Sequence, residues 1–110
     1  MKKLPNRYVP VICIDLDGVI CHGETWTPKG CLDALPDEKV IEAVRKTYLS
    51  AFIVVYTARR DELIPATLEW LRRNNVRYHA FSNQKIGAEV YVDDKNKDID
   101  WLKDITKLKK

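Results

Sequence analysis

Short apolar segments alternate with amphipathic segments along most of the chain. Residues 8–14 and 51–56 are continuous apolar runs, which are typical of strands covered on both faces of a sheet. Residues 77–81 and 89–92 predict two shorter strands. The hydrophobic pattern therefore predicts four strands separated by longer segments.

Three further segments, two between the strands and one after the last strand, place apolar residues at the spacing of an amphipathic helix. Residues 37–48 carry acidic residues near the start and basic residues near the end, which complements the helix dipole. Residues 61–74 form the second predicted helix, whose start is expected a few residues after Asp61 because Pro65 fits best within a first turn. Apolar residues between 99 and 108 mark the third helix.

The alternation of strands and helices predicts an α/β fold. Right-handed crossovers through helices place the strands in one parallel sheet and the helices on both of its faces. We therefore expect a Rossmann-like three-layer α/β/α architecture with a central parallel sheet. The chain has no repeat or low-complexity linker, so we expect a single domain over residues 1–110.

Residues 18–35 are the exception, because they contain Gly18, Gly23 and Gly30 and show no helical period. An irregular stretch of this length in a small domain is usually functional. We expect a turn followed by a small β-hairpin flap that overhangs the edge of the sheet after the first strand. The stretch is too short for a separate cap domain, so the site beneath it is expected to be open.

The composition excludes several classes of protein. A chain of 110 residues with 45% hydrophobic residues and a net charge of +3 has the content of a folded domain rather than a disordered segment. Its longest apolar runs are far below the roughly 18 residues of a membrane-spanning helix. The first run ends in acidic residues rather than at a small-residue cleavage site, so we expect a cytoplasmic protein with no membrane partner.

The cysteines do not predict a structural cross-link. Cys13, Cys21 and Cys31 are an odd number without a CxxC pair, which fits neither a disulfide framework nor a zinc site. We expect Cys13 in the core of the first strand and the other two in a loop.

Residues of the types that commonly bind metal ions and phosphate groups lie at or near the ends of the predicted strands. The carboxyl ends of parallel strands meet at one edge of a sheet, so we expect these side chains to converge. Clustered carboxylates need a cation to offset their charge, and ligands that are all oxygen favour Mg²⁺. Two carboxylates two residues apart on a strand point to the same face. The residues concerned are Asp15, Asp17, Thr57, Asp93 and Asp94, with Lys85 before the fourth strand.

Four segments resemble the motifs of the haloacid dehalogenase (HAD) superfamily of phosphohydrolases. The sequence ICIDLDGVI at residues 12–20 is similar to the first motif, and FIVVYT at residues 52–57 is similar to the second. Lys85 resembles the third motif, and VYVDD at residues 90–94 resembles the fourth. The order of the motifs matches the family, and the resemblance covers nearly the whole chain.

The match extends to small members without a cap domain that are often associated with capsule or surface-polysaccharide genes. Their TAR tripeptide, T-x-x-W-L pattern, Lys and DDK ending are similar to residues 57–59, 67–71, 85 and 93–95. One departure is that Ile86 follows Lys85 where the family commonly has Pro.

The resemblance implies a magnesium-dependent phosphatase, a phosphoric monoester hydrolase that forms an aspartyl-phosphate at Asp15. Asp15 would be both the nucleophile and a metal ligand. Asp17 would be the general acid and then the general base, with its backbone carbonyl on Mg²⁺. The remaining implied roles are phosphoryl binding by Thr57, charge compensation by Lys85, and direct metal binding by Asp94 with Asp93 beside it.

Substrate contacts are expected from the first loop and from the residues after Thr57. Trp26 has no obvious core to join, so we expect it to line the substrate entrance, where His22 could assist. Arg59 is expected at the surface or against a helix, with a substrate anion as the alternative contact. The residues predicted to bind substrate are Gly18, His22, Trp26, Ala58 and Arg59.

The resemblance points first to a small phosphorylated metabolite such as a sugar phosphate, and second to a nucleotide or a polynucleotide end. Because the site is expected to be open, water would be excluded by the flap, by a bulky substrate or by the partner subunit of a homo-oligomer.

Two alternative functions fit parts of the same pattern. A receiver-like phospho-accepting signalling domain has a similar length and acids after its first strand. It needs a phospho-acceptor Asp after a middle strand and a Lys after the final one, an order that Thr57 and Lys85 do not follow. A catalytically silent HAD-fold binding module is the third interpretation, against which the intact carboxylates argue.

Overall fold

The computed structural model describes residues 9–84 and 90–92. A 3₁₀ turn at Asp61–Leu63 leads directly into the last described helix. The helices are α1 (Pro28–Asp33), α2 (Glu38–Thr47) and α3 (Ile64–Arg73). The strands are β1 (Val11–Asp15), β2 (Cys21–His22), β3 (Leu35–Pro36), β4 (Phe52–Tyr56), β5 (Ala80–Ser82) and β6 (Val90–Val92).

Four strands form a parallel sheet in the order β5-β4-β1-β6. In chain order this is the third, second, first and fourth strand, which is the start of the Rossmann arrangement. The predicted Rossmann-like α/β fold with a central parallel sheet is confirmed. The order of the strands reverses between β1 and β6, and ligands bind beside the carboxyl ends of strands at such a point.

The core lies between the sheet and helices α2 and α3. Ile12, Ile14, Ile53 and Val55 of the two central strands belong to one buried cluster, and the helices contribute Ile41, Val44, Trp70 and Leu71. Cys13 and Val54 alternate with these strand residues and are also buried, so both faces of the central strands are covered. This burial explains why the two runs are continuously apolar.

The bounds of α2 and α3 follow from their caps. Asp37 is the N-cap of α2, because its side chain accepts a hydrogen bond from the Val40 N–H at 3.2 Å. Pro65 lies in the first turn of α3, as predicted.

The predicted helix between residues 99 and 108 lies outside the described residues. No helix in the described ranges is long and apolar enough to cross a membrane.

Residues 18–35 differ from the prediction, because their two short strands enclose a helix. Strands β2 and β3 pair in antiparallel fashion, and α1 lies between them with Thr27 as its N-cap. The helix has only six residues, too few for a helical period to show in the sequence. The expected loop position of Cys21 and Cys31 is wrong: Cys21 lies in β2 and Cys31 in α1, and both are buried and free.

Candidate active site

The turn after β1 places two acidic residues at the carboxyl edge of the sheet. Asp15 is the last residue of β1, opposite Tyr56 of β4. Leu16 is buried in the core and extends the pairing with an N–H that donates to the Tyr56 carbonyl at 2.8 Å. Asp15 and Asp17 therefore flank a core residue and lie on the opposite side of the chain from it. Gly18 turns the chain with a φ of 84°, a conformation that favours glycine.

Thr57 connects the end of β4 to this turn. Its hydroxyl donates to Asp17 Oδ2 at 3.0 Å and accepts a hydrogen bond from the Arg59 N–H at 3.2 Å. Its own N–H donates to the Ser82 carbonyl at 3.1 Å, which anchors it to the end of β5. Thr57 is buried, and its hydroxyl orients the Asp17 carboxylate.

Arg59 lies in the interior and holds the same carboxylate, so of the two expected positions the one against a helix is found and the one at the surface is not. Its Nε donates to both Asp17 oxygens, at 3.2 and 3.1 Å, and its Nη2 donates to Oδ1 at 2.6 Å. Its Nη1 donates to the Thr67 hydroxyl at 2.8 Å, and its Nη2 also lies 3.4 Å from Cys21 Sγ. The side chain is 5% exposed against 43% for Asp17, so a buried guanidinium supports a half-exposed carboxylate.

These contacts set the charge of Asp17. Burial raises the pKa of its carboxyl group, but hydrogen bonds and positive charge from Arg59, with hydrogen bonds from Thr57 and Thr25, bring that pKa below its usual value. Burial, followed by the negative charge of Asp17, raises the pKa of the neighbouring Cys21 thiol to about 11. Asp17 is therefore ionised at neutral pH, and Cys21 is a neutral thiol.

A cavity of about 620 Å³ opens beside this carboxylate. It brings together residues of the first loop, the segment after β4 and the turn before α3, and they include Trp26, Ala58 and Arg59 of the predicted substrate-binding set. Its lining consists of Asp17, Gly23, Thr25, Trp26, Ala58, Arg59, Arg60 and Leu63.

Two predicted substrate-binding residues lie apart from this lining. His22 lies 3.1 Å from the Asp37 carboxylate through its Nε2 and is about half exposed. The Gly18 N–H donates to the Cys21 carbonyl at 2.9 Å and so closes the turn.

The predicted third and fourth motifs are only partly within the described residues. Lys85, Asp93 and Asp94 lie outside them, whereas Val92 of β6 pairs with Ile14 of β1. Within residues 9–84 and 90–92, no three His, Cys, Asp or Glu side chains are grouped closely enough to hold a metal ion. The metal-binding roles of these residues therefore stay predictions.

The sequence did not single out two threonines that complete the site. The Thr25 hydroxyl donates to Asp17 Oδ1 at 3.2 Å, and the Thr67 hydroxyl accepts from Arg59 while donating to the Leu63 carbonyl at 2.8 Å. Thr67 begins the T-x-x-W-L pattern that follows the TAR tripeptide, and that spacing could have indicated its contact with Arg59. Thr25 lies in an irregular loop and has no comparable signal.

Solved structures of two other proteins have a similar fold. A conserved protein of Bacteroides thetaiotaomicron aligns over 91% of this chain and 91% of its own length, with a TM-score of 0.66 and 19% identity. A chain of the Pnkp1/Rnl/Hen1 RNA repair complex aligns over 98% of this chain with a TM-score of 0.60 and 11% identity, and the aligned part is 37% of that chain. No family model and no curated protein matches the sequence. At these identities the similarity is one of fold.

Proposed function

We propose that this protein is a magnesium-dependent phosphatase that hydrolyses a phosphomonoester through an aspartyl-phosphate at Asp15. The observation that carries the proposal is the 3.0 Å hydrogen bond from the Thr57 hydroxyl to Asp17. It joins the ends of β1 and β4, which are the two segments that resemble the first two HAD motifs. The two carboxylates of the first motif and the threonine of the second motif therefore belong to one edge of the sheet, which supports the roles that the resemblance implies for them.

The proposed reaction has two steps. An Asp15 carboxylate oxygen forms a bond to phosphorus while the bond from phosphorus to the leaving oxygen breaks, and the protonated Asp17 carboxyl group, as general acid, gives its proton to the leaving oxygen. Water then attacks phosphorus, Asp17 accepts its proton, and the bond to Asp15 breaks to release phosphate. The lowered pKa of Asp17 favours the second step, because that step needs the ionised carboxylate. The first step needs the protonated form of Asp17. An alcohol with a high pKa depends on this proton to leave, whereas an aryl alcohol depends on it less.

The described donors fit Mg²⁺. The Asp15 carboxylate and the Asp17 backbone carbonyl are hard oxygen donors that would bind the ion, and Asp94 would be the third ligand by resemblance. The Asp17 carboxylate accepts hydrogen bonds from Arg59, Thr57 and Thr25, and the resemblance assigns metal binding to the Asp17 backbone carbonyl. When bound, Mg²⁺ would offset the negative charge of the phosphate and of the nucleophile.

An aryl phosphate assay tests the proposal. We expect the wild-type protein to hydrolyse p-nitrophenyl phosphate with Mg²⁺ and to lose this activity with a chelator. Asp15→Asn removes the nucleophile and should lower kcat to background. Asp33→Asn is the matched control, because Asp33 is an exposed carboxylate on α1 that pairs with Lys29. Activity that survives in Asp15→Asn or in the chelator would overturn the mechanism.

The strand order and a labelling experiment distinguish the proposed phosphatase from the two alternative functions. A receiver domain of the flavodoxin-like type has its strands in the order 2-1-3-4-5, whereas the first four parallel strands here run 3-2-1-4. A small acyl phosphate would label a receiver stably, and mass spectrometry would locate the labelled residue. Stable labelling away from Asp15 would favour a receiver. The absence of both labelling and hydrolysis would favour a silent binding module.

Under the proposal a small phosphorylated metabolite is the substrate, with a sugar phosphate as the first compound to test.

A further inference from the structure

Trp26 is a large aromatic residue with 78% of its surface exposed, at the rim of the cavity beside Asp17. Tryptophan is highly buried on average in folded proteins, and Trp70 of this chain is 2% exposed. Packing within the protein therefore does not explain why the Trp26 indole is presented here.

The backbone on either side of Trp26 is fixed. The Thr25 hydroxyl donates to Asp17, and the Cys31 thiol contacts the Thr25 carbonyl at 3.6 Å. On the other side, Thr27 caps α1, because its hydroxyl accepts from the Gly30 N–H at 3.0 Å. The indole is thus exposed from an anchored backbone, which reduces the entropy lost when a ligand binds against it.

The cavity is too large for a phosphate group alone. Its volume of about 620 Å³ lies within the range of sites that enclose a whole small molecule. Its lining combines the polar residues Asp17, Thr25, Arg59 and Arg60 with the apolar residues Trp26, Ala58 and Leu63. A leaving group that enters the cavity would therefore contact apolar residues as well as polar ones.

We infer that Trp26 and Leu63 form an apolar subsite for a ring in the leaving group of the phosphomonoester. This inference rests on the proposed function, because it places the transferred phosphoryl group at Asp15 and the leaving group in the cavity beside Asp17. The face of a ring packs against the indole, whether the ring is an aromatic system or a saturated sugar. A small acyclic leaving group would leave the subsite empty and gain no affinity from it.

Binding of phosphonates tests this subsite without requiring turnover. Methylphosphonate, phenylphosphonate and cyclohexylphosphonate carry the same charged group, and the last two add an aromatic and a saturated ring. We expect isothermal titration calorimetry with Mg²⁺ to show that at least one ring compound binds wild-type protein about tenfold more tightly than methylphosphonate. The two ring compounds distinguish an aromatic from a sugar-like leaving group.

Two variants assign the preference to Trp26. Trp26→Ala should bring the affinity ratio of the preferred ring compound to methylphosphonate close to one, and Trp26→Phe should keep most of it. Leu49→Ala is the matched control, since Leu49 is an 87% exposed apolar residue that does not line the cavity, and the ratio should be unchanged.

The outcomes separate this inference from the proposed function. Equal affinities for the three phosphonates, absence of binding, or a ring preference that survives in Trp26→Ala would overturn the subsite. A Trp26-dependent ring preference in a protein that hydrolyses no phosphomonoester would support the subsite and overturn the proposed phosphatase.

Discussion

Arg59 links three separate elements through one side chain. It binds Asp17 after β1, Thr67 in α3 and Cys21 in β2. Its side chain is almost fully buried, so water cannot replace these contacts. The guanidinium therefore fixes the orientation of the Asp17 carboxylate relative to the rest of the sheet edge, and we expect catalysis to depend on its shape as well as on its charge.

Replacement of Arg59 by Lys tests this dependence. The ammonium keeps the charge, but it cannot donate in a fork to Asp17 while also reaching Thr67. We expect Arg59→Lys to lower kcat for p-nitrophenyl phosphate about 100-fold while KM changes little, because a misplaced Asp17 affects the chemical step. Arg73→Lys is the control, since Arg73 is exposed and pairs with Glu69 on the outer surface of α3. A wild-type kcat in Arg59→Lys would contradict the positioning role.

The sequence indicated which side chains belong to local motifs, but it left Arg59 open between a position at the surface and one against a helix. Asp17 lies two residues after a buried strand, a spacing that is visible locally. The ion pair between Asp17 and Arg59 joins residues 42 positions apart, and no local pattern encodes it. The arginine pair after Thr57 looks like an exposed polar turn, yet Arg59 is buried and Arg60 is exposed.

At the scale of elements, the helices that could be predicted are those with several turns. Helices α2 and α3 have ten residues each, so their apolar positions repeat clearly. Helix α1 has six residues and includes Gly30, which hides any period. Its start was nevertheless encoded: Thr27 followed by Pro28 is an N-cap followed by proline at the first helical position.

Gly30 determines how closely α1 packs against the loop that carries Trp26. A Cβ at this position would overlap the Glu24 carbonyl oxygen, a backbone atom that cannot rotate away. We expect Gly30→Ala to lower the free energy of unfolding by about 1–3 kcal/mol, measured by urea denaturation. The affinity for ring phosphonates should fall as well, because the displaced segment precedes Trp26.

Lys29→Ala provides the comparison for Gly30→Ala within the same helix. Lys29 is exposed and pairs only with Asp33 among the described contacts, so its loss should leave the free energy of unfolding almost unchanged. If Gly30→Ala were as stable as Lys29→Ala, the close approach between α1 and Glu24 would not be a constraint in solution.

At the scale of the whole molecule, the site exists because β1 and β4 are neighbours. Continuous apolar runs predicted that both strands are buried on two faces, and they did not determine which strands pair. Asp15 lies opposite Tyr56 only in the observed register, and this pairing brings Thr57 to Asp17. The predicted convergence was therefore conditional on a strand order that the sequence left open.

The pairing of Asp17 with a buried arginine also makes global stability depend on pH. A carboxyl group with a lower pKa in the folded than in the unfolded chain stabilises the fold above its unfolded pKa, near 4. That contribution is lost as the pH falls through the folded pKa. Hydrogen bonds from the exposed Arg72 and Arg73 likewise lower the pKa of Glu69, a partly exposed residue of α3, to about 2.

The salt dependence of the unfolding free energy distinguishes the contribution of Asp17 from that of Glu69, because ions screen exposed pairs much more than pairs with a buried partner. We expect wild type to exceed Asp17→Asn in unfolding free energy by a constant amount above about pH 5, and this difference to shrink as the pH falls below about 4. It should persist in about 1 M NaCl, whereas the corresponding difference for Glu69→Gln should largely disappear there. Urea denaturation at each pH and salt concentration measures both differences. A wild-type advantage over Asp17→Asn that stays constant down to about pH 2 would show that the charge of Asp17 does not stabilise the fold, and the ion pair with Arg59 would then have to be rejected.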